Sequence, residues 1–369
     1  MEKPQRLLAL DVFRGLTIAL MIIVNNPGSW ESIYAPLRHS QWNGCTPTDL
    51  VFPFFMFIVG TAMWFSFKKF DHSLTKKSST KIIQRTLLIF IIGFLLNSFP
   101  FYNVDFRHAR IMGVLQRIGI AYGIASFVVL SIRFKYVKFA TAAFLLLYWG
   151  LLLFFGGDSP LTLEGNLVGR FDVFVLGENH VPIYNGIHFD RTGLLSTMPS
   201  IASVLFGYMA GSLIDKTENK LSAVKKLIGY GIVGIIVAQV WDFILPINKS
   251  LWSSSYVVYT SGLAMALLGL FLWIIDIKGH KNWIHPMLAF GMNPLFIYVL
   301  AGIWSEILEL IKISAGSGDT VSLKYWMYSE IFKPIAGELN GSLLFAIHIG
   351  IVFWLIGWLM YHKRIFIRI

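Results

Sequence analysis

The sequence has few cysteines and few charged residues, and each shortage excludes a common class of protein. Cys45 is the only cysteine among 369 residues, so no disulfide can form within the chain. Charged residues make up 14% of the chain and hydrophobic residues 56%. Soluble domains average about 25% charged and about 45–50% apolar residues. Because the apolar excess lies in runs of roughly twenty residues, the length that a helix needs to cross a bilayer, we predict a membrane protein.

The chain also lacks the short motifs of common nucleotide and metal sites. It contains no P-loop, no GxGxxG, no HExxH and no paired-cysteine metal motif. His39, His180, His188 and Asp190 follow no known metal-ligand spacing, so no metal cofactor is expected. There is no repeat of fixed period, no low-complexity tract and no soluble domain in the pattern. We therefore interpret residues 1–369 as a single transmembrane domain.

The apolar runs predict an all-α, polytopic membrane bundle of about ten transmembrane helices. The runs lie near residues 7–25, 48–66, 82–99, 111–131, 139–155, 192–213, 227–246, 252–274, 287–308 and 341–361. Asp11 and Arg14 interrupt the first run, and no small-x-small site follows Val24, which favours a retained span over a signal peptide. Asn293 and Pro294 break the ninth run, a pattern typical of a helix that lines a cavity.

The distribution of the basic residues predicts the orientation of the chain. The net charge of +11 does not indicate nucleic-acid binding, because the basic residues cluster in short loops between apolar runs. With a cytoplasmic N-terminus, 19 of the 31 Lys and Arg residues face the cytoplasm, 9 face the opposite side and 3 lie inside runs. This asymmetry predicts a multi-pass protein of the inner cell membrane with both termini in the cytoplasm. It places the connector 25–49 and the long loops 156–191 and 309–340 outside.

The connector 25–49 contains the residues best suited to chemistry. His39 belongs to no apolar periodicity, so it is either a solvated loop residue or a general base. Asp49 would cap the next helix, and the same carboxylate would orient an imidazole. Asn25 either ends the first helix or donates a hydrogen bond to a carbonyl oxygen on which charge develops.

Three arginines within or near the spans require an explanation, because ionisable groups are costly in hydrocarbon. Asp11 and Arg14 form either a buried ion pair or, with Arg6, an anion site that faces a water-filled cavity. Arg117, in the fourth run, is expected to pair with a carboxylate. The candidate partners of Arg117 are Asp190, Asp242 and Asp49.

Several segments of the sequence are similar to one family of membrane enzymes. They include LDVFRGLTIALMIIVNN, RHSQWNGCTPTDLVFPFFMFIVG and RIMGVLQRIGIAYG, and the pattern H-x-x-W-N-G-x-T-x-x-D-L-V-F-P is long enough to be specific. The chain resembles the heparan-α-glucosaminide N-acetyltransferase family, from whose animal members it departs by a longer connector before His39. The resemblance implies a homodimeric acyltransferase domain. It would move acetyl from cytosolic acetyl-CoA to the amine of a glucosamine-type sugar on the other side of the membrane.

The resemblance also implies roles for particular residues. The active-site histidine of the family corresponds to His39, its nearby asparagine to Asn25, and the arginines that hold CoA to Arg6 and Arg14. Lys363 and Arg364, after the last run, would add positive charge for the CoA phosphates. The expected acceptor contacts are Trp42, His188, Asp190 and Arg117, with Trp30 and Tyr184 as further stacking candidates.

Two mechanisms and two other functions stay open at the level of sequence. The amine attacks the thioester directly with His39 as the base, or His39 is acetylated first. The alternative functions are an amino-sugar transporter and an O-acyltransferase that acts on a cell-surface glycan.

Overall fold

The computed structural model describes residues 7–314 and 320–367, and their regular structure is almost entirely helical. The α-helices are α1 (Leu8–Asn25), α2 (Pro47–Phe67), α3 (Lys76–Asn97), α4 (Val114–Ser131), α5 (Val137–Phe155), α6 (Leu167–Leu176), α7 (Thr197–Lys216), α8 (Lys220–Asp242), α9 (Ser254–Phe271), α10 (His285–Met292), α11 (Pro294–Leu310), α12 (Leu323–Met327) and α13 (Lys333–His362). The strands are β1 (Ile183–Tyr184), β2 (Ile187–His188), β3 (Lys312–Ser314) and β4 (Thr320–Ser322).

The number of candidate spans agrees with the prediction. Within the described ranges, nine helices are long and apolar enough to cross a membrane, or ten if the bent pair α10–α11 forms one span. Each of the ten predicted runs overlaps one of these helices or the bent pair. The prediction of a polytopic helical membrane protein is therefore confirmed.

The chain forms two compact units, which we name by their position in the sequence. The terminal unit comprises Met1–His39, Thr46–Phe52 and Gly279–Arg368, and the central unit comprises Ser40–Cys45 and Pro53–Lys278. The interpretation of residues 1–369 as one functional domain stays a prediction.

In the central unit, the close packing of α8 and α9 depends on two facing glycines. A Cβ added to Gly231 or to Gly262 would lie 2.7 Å from the carbonyl oxygen of the other residue. Small residues bring the backbones of membrane helices close in this way. α3 packs along α4, and α4, α5 and α9 pack on α7, which is the most buried span of the chain.

The terminal unit is built around α1, α10, α11 and α13. α1 and α10 approach so closely that a Cβ added to Gly15 would lie 1.7 Å from the carbonyl oxygen of Met287. The axis bends by 84° between α10 and α11, and Asn293 and Pro294 lie at that break. The predicted interruption of this span is confirmed. α13 contains a second break at Gly337, whose φ of 78° lies in the left-handed region.

The loop between α5 and α7 packs against the helices of the central unit, to which it belongs. It contains α6 and the hairpin β1–β2, whose turn residues Asn185 and Gly186 both have positive φ, as a two-residue turn requires. Its side chains join a buried apolar cluster with residues of α5 and of the segment before α9. The buried members of this cluster are Tyr148, Leu152, Val168, Phe189, Leu195, Leu245 and Leu251.

Candidate functional site

The first half of the connector is fixed to α13 in the terminal unit. The backbone N–H of Gly28 donates to the carbonyl of Ser342 at 3.2 Å, and the N–H of Ser29 donates to the Ser342 hydroxyl at 3.1 Å. The Tyr34 hydroxyl donates to the side chain of Asn340. Arg38 closes the loop on itself, because its guanidinium donates to the Ile33 carbonyl at 2.8 Å. These contacts hold the backbone that carries His39.

The second half of the connector ends in a capped helix. α2 begins at Pro47, directly after Thr46, and its first turn contains Asp49. The Asp49 carboxylate accepts the backbone N–H of Thr46 at 3.0 Å through Oδ2. The Thr46 hydroxyl lies 2.7 Å from the carbonyl of Arg38, the residue before His39. A carboxylate three residues after a threonine cap is favoured by its hydrogen bonds and by the positive end of the helix dipole.

The capped carboxylate also contacts the histidine. His39 Nδ1 lies 2.7 Å from Asp49 Oδ1, and the Asp49 side chain is completely buried while 34% of the His39 side chain is exposed. An anionic carboxylate can only accept, so it selects the tautomer in which Nδ1 carries the proton. The lone pair then resides on Nε2. The structure thus brings together His39 and Asp49, as predicted, in the arrangement of an oriented base.

Asn25 is located at the last residue of α1 and is exposed. Within residues 7–314 and 320–367, no hydrogen bond holds its side chain. The neighbouring Asn26 is buried, and its side-chain amide donates to the Ile22 carbonyl at 2.7 Å, which ends the helix. Asn26 therefore caps the end of the helix, and the role of the exposed Asn25 amide as a donor stays a prediction.

Arg14 forms the ion pair that was one of its two predicted interpretations. Its Nη2 lies 2.5 Å from Asp11 Oδ1, and its Nε donates to the Gly291 carbonyl at 2.7 Å. Gly291 is in the last turn of α10, where a guanidinium also meets the negative end of the helix dipole. Part of the Arg14 side chain, 23%, stays exposed. Arg6 lies outside the described residues.

The segment that follows α13 returns to the same helix break. The buried side chain of Asn293 donates to the Ile365 carbonyl at 2.9 Å and accepts the Ile367 N–H at 2.8 Å. Lys363 and Arg364, directly before these residues, are exposed. Three of the four residues predicted to hold CoA, namely Arg14, Lys363 and Arg364, are thereby associated with the α10–α11 break in the terminal unit.

The middle of the connector belongs to the central unit and contacts the loop between α5 and α7. Trp42 donates its indole N–H to the Leu161 carbonyl at 2.8 Å and packs against Phe189, with ring centroids 5.5 Å apart. The Tyr184 hydroxyl donates to the Gln41 carbonyl at 3.2 Å. Trp42 and Tyr184 are only partly buried, so Trp42 combines a structural role with an accessible edge. Trp30, in the terminal unit, is 60% exposed.

Asp190 is bound by an arginine that sequence analysis did not single out. Arg110 donates to both of its carboxylate oxygens, at 2.9 Å from Nε and 2.7 Å from Nη2. Burial alone would raise the pKa of Asp190, but the hydrogen bonds and the charge of Arg110, with the hydrogen bonds of Thr192, outweigh burial and lower it. An Asp190 carboxylate that is already satisfied fixes the loop, which favours a structural role over the predicted contact with an acceptor amine.

Arg117 differs from the prediction, because none of the three candidate carboxylates contacts it. Its Nη2 donates to the Ser196 hydroxyl and, at 3.3 Å, to the Gly193 carbonyl. Its guanidinium lies 4.8 Å from the ring centroid of Trp252. The residue is completely buried and forms no direct salt bridge within the described chain, and its charge is stabilised by these contacts and by the longer-range attraction of Asp190 and Asp172.

Two further ionisable side chains of the loops have structural contacts. His188 Nδ1 lies 2.9 Å from the Val181 carbonyl, and its Nε2 lies 3.3 Å from Glu178. Asp172, in α6, accepts the Leu195 N–H at 3.0 Å and is fully buried. Burial raises the pKa of Asp172 to about 7. In the part of the chain that the structure describes, no group of three or more His, Cys, Asp or Glu side chains could hold a metal ion.

Comparison with known proteins identifies the family. Residues 6–238 match the family described as heparan-alpha-glucosaminide N-acetyltransferase, catalytic. The chain belongs to this family. The heparan-alpha-glucosaminide N-acetyltransferase of Mus musculus is 30% identical over 355 residues, which cover 81% of this chain and 53% of the mouse protein. The Homo sapiens protein of that name is 28% identical, over 80% of this chain and 52% of its own length.

The predicted relationship to the heparan-α-glucosaminide N-acetyltransferase family is therefore confirmed. The similarity covers only part of the known relatives. The chain spans about half the length of the curated relatives that it matches. The match to the family includes the connector, the His39–Asp49 pair and Arg14, whereas the α10–α11 break lies beyond it.

Several residues that support the site were not predicted from the sequence, although some have a sequence signal. The order Thr46, Pro47, x, Asp49 is a helix-start pattern, which predicts the contact of the carboxylate with the Thr46 N–H. Arg110 left no local signal as a site residue, because its partner is 80 residues away. Asp172 left no signal, since its burial depends on the folding of the loop.

Proposed function

We propose that this chain is a transmembrane N-acetyltransferase that transfers acetyl from acetyl-CoA to the amine of a glucosamine-type sugar. The His39–Asp49 contact carries the proposal. An imidazole held at 2.7 Å by a buried carboxylate is the arrangement that activates a nucleophile by removing its proton. Family membership favours acetyl as the group and acetyl-CoA as its donor.

The chemical step balances with the groups of this site. His39 Nε2 takes one proton from the acceptor ammonium, and the neutral amine nitrogen attacks the thioester carbonyl while Asp49 stabilises the imidazolium. A C–N bond forms and the C–S bond breaks, and the second proton lost by the nitrogen passes to the departing sulfur, so that CoA leaves as the thiol. The exposed amide of Asn25 would donate to the oxyanion, and the loss of one such donor typically costs about 10²–10³ in rate.

The terminal unit contains groups suited to bind the phosphates of acetyl-CoA and groups suited to act on its thioester. Arg14, Lys363 and Arg364 would supply cations for the phosphates of CoA, and the broken helix adds the N-terminus of α11. Arg14 and Asn25 are 11 residues apart on α1, which corresponds to about 16 Å of helix. The extended pantetheine arm would have to cover this distance to bring the thioester to His39.

The proposed orientation follows from the charge asymmetry. We assign both termini to the cytoplasm, where acetyl-CoA is made, and the protein to the inner cell membrane. The connector then faces the compartment on the opposite side of that membrane. The partners of the proposed enzyme are the amino sugar, acetyl-CoA, the bilayer and a second copy of the chain. No nucleic acid and no metal cofactor take part.

The test is acetyl transfer by the purified protein in detergent. Radiolabelled acetyl-CoA and glucosamine should give the N-acetyl sugar, identified as an amide by mass spectrometry, and His39→Ala should reduce the turnover at least a hundredfold. His108→Ala is a matched control, because His108 Nδ1 also lies 2.7 Å from a carboxylate, Asp105, but is 62% exposed. An ester product would favour the O-acyltransferase, and equal losses in both variants would refute the role of His39.

The two mechanisms are distinguished without acceptor. An acetylated protein that forms from acetyl-CoA alone, and that is absent in His39→Ala, supports an acetyl-imidazole intermediate. The absence of such a species during a single turnover supports direct transfer.

The broken span supports an amino-sugar carrier as the second candidate. An 84° bend at a buried asparagine is typical of transporters whose substrate sites lie at discontinuous helices. Counterflow of labelled glucosamine in vesicles without CoA would favour this function. Acetylation in detergent, where no sealed compartment exists, would favour the enzyme.

A further inference from the structure

The central unit contains a large apolar cavity that the proposed reaction does not use. Its volume is about 620 Å³, within the roughly 300–1,000 Å³ of typical ligand pockets. It lies among α5, α7, α8 and α9. The apolar and aromatic side chains that line it include Phe206, Met209, Leu213, Leu227, Tyr230 and Met265.

Two lysines also line this cavity, at the end where α5 begins. Lys135 and Lys138 are exposed, and no carboxylate lies within ion-pair distance of either among the described residues. The ammonium of Lys216, at the end of α7, lies 4.4 Å from the ring centroid of Phe134, which is a further lining residue. The nearby carboxylate of Asp215 is already paired, at 2.5 Å, with Lys68. One end of the cavity is therefore positively charged.

Neighbouring aromatic residues place this end at the level of a membrane interface. The ammonium groups of Lys135 and Lys138 lie 5.0 Å from the ring centroids of Tyr136 and Phe139, and both rings are exposed. Exposed aromatic rings beside basic residues are typical of the boundary between hydrocarbon and headgroups. The rest of the cavity then extends into the hydrocarbon layer.

Two of the four helices beside the cavity, α5 and α8, are among the least enclosed of the described spans. Only 28% of the span window is buried in α5 and in α8, against 72% in α7. Tyr230, which lines the cavity from α8, is itself 59% exposed. A cavity bordered by such helices opens towards lipid and is suited to a molecule that arrives within the bilayer.

We propose that this cavity binds an anionic phospholipid of the surrounding membrane. An acyl chain occupies the apolar space among α5, α7, α8 and α9, and the phosphate lies between Lys135 and Lys138. Other membrane proteins bind anionic headgroups in the same way, in pockets between transmembrane helices that are lined by basic residues.

The test is native mass spectrometry of the full-length protein, which counts bound lipid after titration with phosphatidylglycerol or phosphatidylcholine. The wild type should retain phosphatidylglycerol preferentially. Each lysine near an anionic headgroup is worth roughly a fivefold change in affinity, so Lys135→Gln with Lys138→Gln should weaken phosphatidylglycerol binding about 25-fold. Phosphatidylcholine binding should change little.

Two further variants separate this site from general lipid contact. Leu213→Trp fills the cavity, so it should reduce the retention of both lipids. Lys76→Gln with Lys77→Gln removes the same charge from two exposed lysines at the start of α3 and should retain the wild-type preference. Thermal melting without added lipid confirms that each variant is folded.

Three results would overturn the proposal. The first is equal retention of both lipids by the wild type, and the second is an equal loss in the control lysine pair. The third is displacement of phosphatidylglycerol by CoA, which would assign the cavity to nucleotide binding. Each of these results leaves the acetyl-transfer assay of His39 unaffected, so the two proposals fail independently.

Discussion

The substitution Asp49→Asn tests the site most directly, because the structure predicts how the amide would orient. Oδ2 of Asp49 accepts the Thr46 backbone N–H at 3.0 Å, and this donor cannot rotate away. An asparagine would therefore place its carbonyl oxygen at Thr46 and turn its NH₂ group towards His39 Nδ1. That NH₂ group donates, so it selects the tautomer protonated at Nε2. His39 would lose its lone pair at the nitrogen that takes the proton.

The expected loss is large and is confined to the chemical step. General base catalysis contributes about 10²–10⁴ in rate, so kcat should fall by that factor, or about 3–5 kcal/mol in activation free energy. Loss of the charged cap should cost only about 1 kcal/mol of folding stability, so the melting temperature should change little. The measurement is the initial rate of N-acetylglucosamine formation at saturating acetyl-CoA.

A matched control shows whether burial matters. Asp105 makes a contact of the same length with His108, but its side chain is 58% exposed, so Asp105→Asn should retain the wild-type rate. The reasoning is refuted if Asp49→Asn keeps more than a tenth of the wild-type kcat while it melts normally. It is equally refuted if Asp105→Asn loses as much activity.

Three other predictions concern the donor site and the loops. Arg14→Gln should raise the KM for acetyl-CoA about 10- to 100-fold, since a charged hydrogen bond contributes about 1.5–3 kcal/mol, and an unchanged KM would contradict the donor role. Arg110→Gln should destabilise the central unit by about 1–3 kcal/mol, because the buried Asp190 carboxylate loses its charged partner and keeps only the hydrogen bonds of Thr192, and an unaltered melting temperature would contradict this. Asp172 has a folded-state pKa of about 7, above its unfolded value, so the folded state holds the extra proton and stability falls as pH rises from about 4 to 7. The melting temperature of Asp172→Asn relative to wild type should therefore increase across this range and level off above it, and a pH-independent difference would contradict the assignment.

The spans were predictable because each one satisfies a local rule. A run of about twenty apolar residues becomes a helix in a bilayer whatever its neighbours are, since its backbone groups require partners. The break at Asn293 was also predictable, because the Pro294 nitrogen cannot donate to the helix. The Asn-Gly pair at 185–186 is a comparable signal for a hairpin turn, although no hairpin was predicted there.

The site was only partly predictable, because its contacts combine local and distant residues. His39 and Asp49 are ten residues apart, and the helix start between them constrains their separation. Arg110 and Asp190 are 80 residues apart, so no local pattern connects them. Arg117 was expected to pair with a carboxylate on electrostatic grounds. A buried guanidinium has several donors, and Ser196, Gly193 and the Trp252 ring contact it instead.

The bend between α10 and α11 makes the last residues of the described chain part of the bundle. α10 has eight residues, or about 12 Å of helix, so it ends well short of a bilayer's hydrocarbon thickness. Polar backbone exposed at that depth must find protein partners, and Arg14, Asn293 and residues 365–367 supply them. Truncation after residue 364, or a rigid fusion at that point, would therefore weaken the interior of the membrane domain although the change is made at its edge.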